Sequence, residues 1–167
     1  MFPTASSSLT RLRRQLTQIR TLADSVEPRL FANAQCSGWC PAEHLDHIVK
    51  VSASIVNRLL QMDAPPTSGV SLIGRIILAV GRIPRGRGKA PERLRGARLS
   101  GADLHASVAK LEEKLDLLSE AHLAEKRGPI VPHPRFGGLR PGQALRFAAV
   151  HNDHHLRIIE DILKSSD

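Results

Sequence analysis

The sequence predicts an all-α fold: an antiparallel four-helix bundle with one additional short helix. Three observations carry that prediction. Four stretches repeat apolar residues at intervals of three and four, the period of a helix with one buried face. No stretch alternates apolar and polar residues as a half-buried strand would. Clusters of Pro and Gly separate the periodic stretches, and these residues stop helices and mark turns. The 167 residues suit one domain over 1–167, long enough to bury a core.

The first helix is expected over residues 6–25, with Leu9, Leu12, Leu16, Ile19 and Leu22 on one stripe, most arginines off it, and Ser7 or Ser8 as the cap. Pro28 closes it, and residues 31–38 read as a loop. The second helix starts at Trp39-Cys40-Pro41-Ala42-Glu43, because Pro is tolerated in a first turn and Glu43 suits the positive end of the helix dipole. It runs to Met62, buries Leu45, Ile48, Ile55, Val56, Leu59 and Leu60, and stops before Pro65 and Pro66.

Residues 69–80 are very apolar but too short to span a bilayer, so they read as a short buried or packing helix. Residues 81–98 hold seven Arg or Lys against Glu92 alone, among several Gly and Pro. This composition predicts a mobile, solvated basic loop, with a phosphate- or carboxylate-binding loop as the alternative. Ser100-Gly101-Ala102-Asp103 resembles a capping box and opens a third long helix to about Glu125, with Leu104, Val108, Leu111, Leu115 and Leu118 inside. His105 and His122 fall on its surface or rim. Residues 128–138 form an irregular connector, and residues 141–164 form the last helix.

The last helix carries His151-Asn152-Asp153-His154-His155, three of the eight histidines within five residues. His151 and His155 lie about 40° apart around the axis, one turn above the other, a spacing that lets two imidazoles share a metal ion. A run of histidines can equally be solvated or hydrogen-bonded. Here Phe147, Ala148, His151, His155, Ile158, Ile159 and Ile162 form one apolar stripe, so His151 and His155 point inward. His154 falls on the wetter side with Arg157 and Asp161. Each unsatisfied buried imidazole costs on the order of 1–3 kcal/mol, and a metal would satisfy both. A third ligand could come from His44 or His47 on the second helix. By angle His44 lies roughly 80° from the stripe centre and His47 about 140°, so periodicity alone favours His44.

The net charge of +8 favours anionic ligands without naming one. Four Phe, one Trp and no Tyr offer few stacking platforms, which argues against nucleic-acid binding. No apolar run is long enough for a membrane span, and Arg11, Arg13 and Arg14 interrupt any signal-peptide core. Two cysteines, Cys36 and Cys40, are too few for a disulfide scaffold, and cytoplasmic residence is the default expectation.

Two segments resemble a known family. Trp39-Cys40-Pro41-Ala42-Glu43-His44-Leu45-Asp46-His47 looks like the Trp-to-His signature of the DinB-like superfamily. His133-Pro134-Arg135-Phe136-Gly137-Gly138-Leu139, followed by His151-Asn152-Asp153-His154-His155, looks like its C-terminal signature. The resemblance is strong near both ends and thin between residues 65 and 100. It implies a four-helix bundle holding a divalent transition metal (Zn, Ni or Fe) through His47, His151 and His155. That choice of His47 goes against the angular preference, and it leaves His44 as a neighbour or packing residue. Members of the superfamily include thiol S-transferases, a thiol-dependent isomerase and many chains without a known activity. The His-Pro-x-Phe-Gly segment places this chain in a branch of the last kind.

The expected function is that of a metal-dependent enzyme acting on a small-molecule substrate, in the manner of a thiol S-transferase using a low-molecular-weight thiol. A metal-dependent hydrolase and a non-catalytic metal- or ligand-binding bundle are the alternatives, and a homodimer is allowed. Hydrolysis wants a general base, for which Glu43 and Asp46 are the nearest candidates in sequence. Asp153 is a candidate acceptor for a ligand histidine. His133 either lines the pocket or belongs to the loop, with the loop role preferred.

Overall fold

The computed structural model describes residues 4–25, 32–61, 68–86, 89–119, 123 and 128–165. The expected stops at Pro28, Pro65 and Pro66, the helix ends at Met62 and Glu125, Arg87 of the basic stretch, and His122 lie outside them. Among the described residues no helix is long and apolar enough to cross a membrane.

Helix α1 spans Ala5–Ala23. Its cap is Thr4, whose Oγ1 accepts the Ser7 N–H at 3.2 Å, one turn ahead of the serines expected to do this. Helix α2 spans Pro41–Leu60, and α3 spans Leu72–Val80. Ser71 caps α3 through the Gly74 N–H, and Gly81 ends it at a φ of 70°. Only Gly74, Ile77 and Leu78 of α3 are buried, while Leu72, Ile73, Ile76 and Val80 face outward, so α3 is a packing helix with one covered face. Helix α4 spans Gly101–Asp116, and Ser100 accepts the Asp103 N–H as the capping pattern predicts. Helix α5 spans Pro141–Lys164.

The four long helices form a square. Helix α1 lies beside α4 and α5, α2 lies beside the same two, and α1 and α2 touch little across the diagonal. Ala5 sits near Gly142 while Arg11 pairs with Asp153, so α1 and α5 run in the same direction. Arg20 with Glu112 and His105 with Asp24 set α4 antiparallel to α1. His44 with His155 and His47 with His151 set α2 antiparallel to α5. Two helices therefore run each way. The long connection from residue 61 to 100 is what lets α2 and α4 point alike. The core between them is aliphatic, with Leu12, Leu16, Ile19, Leu45, Ile48, Leu59, Leu104, Leu111, Leu115 and Leu145 at most 2% exposed. Burying each such side chain is worth about 1.5–3 kcal/mol relative to leaving it in water.

The expected all-α bundle with a short helix is present, and the correction falls on the connector read as irregular. The connector before α5 holds a small antiparallel hairpin, β1 (Val131–His133) with β2 (Gly137–Leu139), in register Val131 to Leu139. Strands of three residues are too short to show a period of two. The hairpin ties down the start of α3, since Ser71 donates its N–H to the Phe136 carbonyl at 2.7 Å.

A polar ladder crosses the core and sets the rotation of α5. Asn152, wholly buried, accepts the Ser52 hydroxyl from α2 and donates to Gln15 of α1. Gln15 in turn donates to the Ala149 carbonyl at 2.9 Å and to Asp153 at 2.5 Å. Every member has a partner, so the ladder costs little and specifies one register. With Asn152 and Asp153 turned toward α1, His151 and His155 are left facing α2.

Candidate metal centre

The site begins with the first turn of α2. Glu43 Oε2 accepts the Cys40 N–H at 2.8 Å, closing a reciprocal cap around Pro41. His44 and His47 then lie three residues apart on the side turned to α5. Because the two helices are antiparallel, the histidines meet in pairs. His47 Nε2 stands 3.1 Å from His151 Nε2, and His44 Nδ1 stands 2.9 Å from His155 Nδ1. One ring nitrogen each from His47, His151 and His155 lies within 4.8 Å of the others. Half-buried Trp39 packs over them, its ring centroid 5.0 Å from that of His47 and 6.3 Å from that of His155.

Hydrogen bonding fixes one tautomer outright. The Leu94 carbonyl can only accept, so His47 Nδ1, 2.6 Å away, carries the proton and its Nε2 presents a lone pair to the centre. His151 has no such resolution. Among the described residues its Nδ1 is buried without a hydrogen-bond partner, and its Nε2 faces the His47 lone pair. If Nε2 carries the proton, Nδ1 is an orphan acceptor. If Nδ1 carries it, an orphan donor remains and two lone pairs face each other at 3.1 Å. A cation placed against those lone pairs removes the repulsion. Two nitrogens held about 2.0–2.1 Å from a tetrahedral ion stand about 3.3–3.4 Å apart, close to the separation seen. The donor set fits a divalent transition metal.

The site also holds its imidazoles neutral, the form that ligates. Burial pushes the His151 pKa well below the ordinary histidine range, and His47 adds to the effect. Burial, then His151 and His47, do the same to His155. His47 is lowered by burial, and His44 is pushed down to about 4 by burial and then by His47. Positive charge on any ring is unwelcome beside the other three.

The family model described as the DinB superfamily matches residues 9–159, from α1 almost to the end of α5. The chain belongs to the DinB superfamily. No curated protein and no solved structure matches it significantly. The DinB bundle therefore brings its own geometry to the remaining candidates.

His44 is more than packing. Its Nε2 meets the Ser37 hydroxyl at 2.9 Å, and its Nδ1 meets His155 Nδ1, so it can hold the His155 ring in one orientation. His154 stays out of the cluster: it lies edge-on to His155 and close to Arg157 and Arg85. Asp153 does not serve a histidine. Its carboxylate is taken by Arg11 and Gln15 of α1, because the ladder turns it away from α2. Glu43 is engaged in the cap of α2 and faces Arg98 at 3.7 Å. Asp46 accepts the Ala97 N–H at 2.7 Å and pairs with Lys50. Neither is placed as a base.

The second half of the basic stretch is docked, against the expectation of a solvated loop. A short 3-10 turn at Glu92–Leu94 delivers the Leu94 carbonyl to His47. The Arg95 carbonyl accepts from Lys50, and the Gly96 backbone lies against that of Glu43, where a Cβ would overlap the Glu43 carbonyl. Sequence reasoning passed over Leu94 and Ser37. A carbonyl acceptor leaves no mark in a sequence, and the charge of the neighbours disguised a segment that docks through its backbone.

His133 takes the loop role. It stacks on Phe136 with centroids 4.2 Å apart, and its Nδ1 accepts the N–H groups of Arg135 and Phe136 in the hairpin turn. Burial, then Arg135, push its pKa down to about 4. The unfolded chain, with histidine near 6.5, therefore binds this proton more readily than the native chain. The stability that follows is complete above about pH 6.5 and is lost as pH falls toward 4. His133→Asn should flatten the decline in unfolding midpoint between pH 6.5 and 5. Superimposable pH profiles for the two proteins would refute this.

Proposed function

We propose that this chain holds a divalent transition metal through His47, His151 and His155 and transfers a low-molecular-weight thiol to a small electrophile. The observation that carries the metal reading is the convergence of those three ring nitrogens, with His151 Nδ1 buried beside them and unpartnered among the described residues. When bound, such an ion lowers the pKa of a thiol or water in its open position toward neutrality. Three neutral imidazoles leave its charge undiminished. Leu94 keeps His47 in the ligating tautomer, His44 steadies His155, and Trp39 shields that side of the cluster from water.

Thiol transfer is favoured over hydrolysis by the carboxylates. Among the described residues Glu43, Asp46 and Asp153 are all committed to caps or ion pairs. A thiolate is itself the nucleophile and asks for no base beyond its own deprotonation. It attacks the electrophilic carbon, the C–S bond forms, the leaving group departs with its electron pair, and the thiol proton passes to solvent.

Elemental analysis of freshly purified protein should find close to one equivalent of Zn, Ni or Fe. A panel pairing simple thiols with alkylating electrophiles should then show metal-dependent loss of thiol, with activated esters left intact. Metal-dependent ester cleavage without thiol consumption would identify a hydrolase instead. Bound metal with neither activity would identify a binding bundle.

A further inference from the structure

A groove between α1 and α5 lies on the opposite side of α5 from the histidines. Its volume is about 340 Å³, and it is lined by Ser7, Ser8, Thr10, Arg11, Arg14, Arg146 and Ala149. That volume falls at the small end of ligand pockets, which run from roughly 300 to 1,000 Å³. Three arginines and three hydroxyl-bearing residues line it, and among the described residues the lining includes no Asp or Glu.

Arginines repel one another, so a cluster of them needs a reason. Arg11 is partly answered by its ion pair with Asp153. Arg146 is held in place by donating Nε to the Leu78 carbonyl at 2.5 Å, at the end of α3. Arg14 is exposed and makes no ion pair among the described residues. Burial, then the cations Arg14, Arg146 and Arg157, push the Arg11 pKa down.

We propose that this groove binds the phosphate group of a small ligand, with Arg11, Arg14 and Arg146 as donors. The planar guanidinium fork matches phosphate oxygens bidentately, and three such forks without an acid on the wall suit a dianion better than a monoanion. The groove faces α1 whereas the histidines face α2, so this site stands independently of the metal reading.

Inorganic phosphate is the probe, titrated calorimetrically into the whole chain with a chelator present so that no metal can hold it. Saturable binding in the millimolar range or tighter is expected. Arg14→Gln should weaken it about tenfold or more, since a charge-assisted contact is lost without disturbing any internal partner. Arg14→Lys should fall between, keeping the charge but losing the fork. Arg13→Gln removes the same charge one residue away, outside the groove, and should leave binding within about twofold. Acetate at equal ionic strength should not displace phosphate. Absence of saturable binding in the wild type, equal losses in the Arg13 and Arg14 variants, or equal binding of acetate would each overturn the proposal.

Discussion

His155→Ala is expected to abolish the rise in thermal stability that Zn, Ni or Fe confers on the wild-type chain, while His154→Ala keeps it. A ligand that binds only the folded state stabilises it by about 2.7 kcal/mol at one hundred times its Kd. For a domain of this length that is roughly 5–10 °C in Tm. His155 contributes one of the three converging nitrogens, and His154, its neighbour in sequence, contributes none. Both variants remove an imidazole from the same turn of α5, so the comparison separates a lost ligand from a lost side chain. Circular dichroism without metal would confirm that His155→Ala still folds. An equal metal response in wild type and His155→Ala would sink the assignment, as would loss of the response in His154→Ala alone.

Gly96→Ala should be the most damaging single methyl group near the site. A Cβ at this position overlaps the Glu43 carbonyl oxygen, part of the α2 backbone that cannot step aside as a flexible side chain would. Segment 94–97 must lift, straining the Ala97 N–H bond to Asp46 and the Leu94 carbonyl bond to His47. Overpacking of this kind costs about 1–3 kcal/mol. Losing the partner that orients a ligand histidine weakens metal binding by about 10–100-fold. Gly38→Ala is the control, because nothing lies within 4 Å of a Cβ there. It should change stability by no more than about 0.5 kcal/mol. Wild-type stability together with wild-type metal affinity in Gly96→Ala would show that the docked segment does not govern His47.

The two helices that carry the histidines were legible in the sequence for a simple reason. Pro41 with Glu43 starts one, Pro141 starts the other, and each then repeats apolar residues at three and four over five or more turns. The inward aim of His151 and His155 followed from the same stripe, since both replace core residues in it. The hairpin did not show, because three-residue strands carry no period and its turn is organised by the His133 side chain rather than by a turn dipeptide. The packed face of α3 showed only as apolar content. Which of its residues would be covered depended on where the hairpin and α5 lay.

Local pattern thus determined the bundle, the four long helices and the pairing of His151 with His155. Those features arise within single helices, where the backbone's own period relates each residue to the next turn. The choice between His44 and His47 was beyond such reasoning. Angle around α2 favoured His44, and both residues are buried against α5. What distinguishes the two in the structure comes from segments outside α2. The Leu94 carbonyl, brought by the docked basic stretch, accepts the His47 Nδ1 proton in a hydrogen bond and so leaves Nε2 with its lone pair toward the cluster. Ser37 engages His44 from the other side and leaves it to steady His155. A tautomer is set by whichever acceptor or donor arrives at the ring, and only the tertiary structure brings it there.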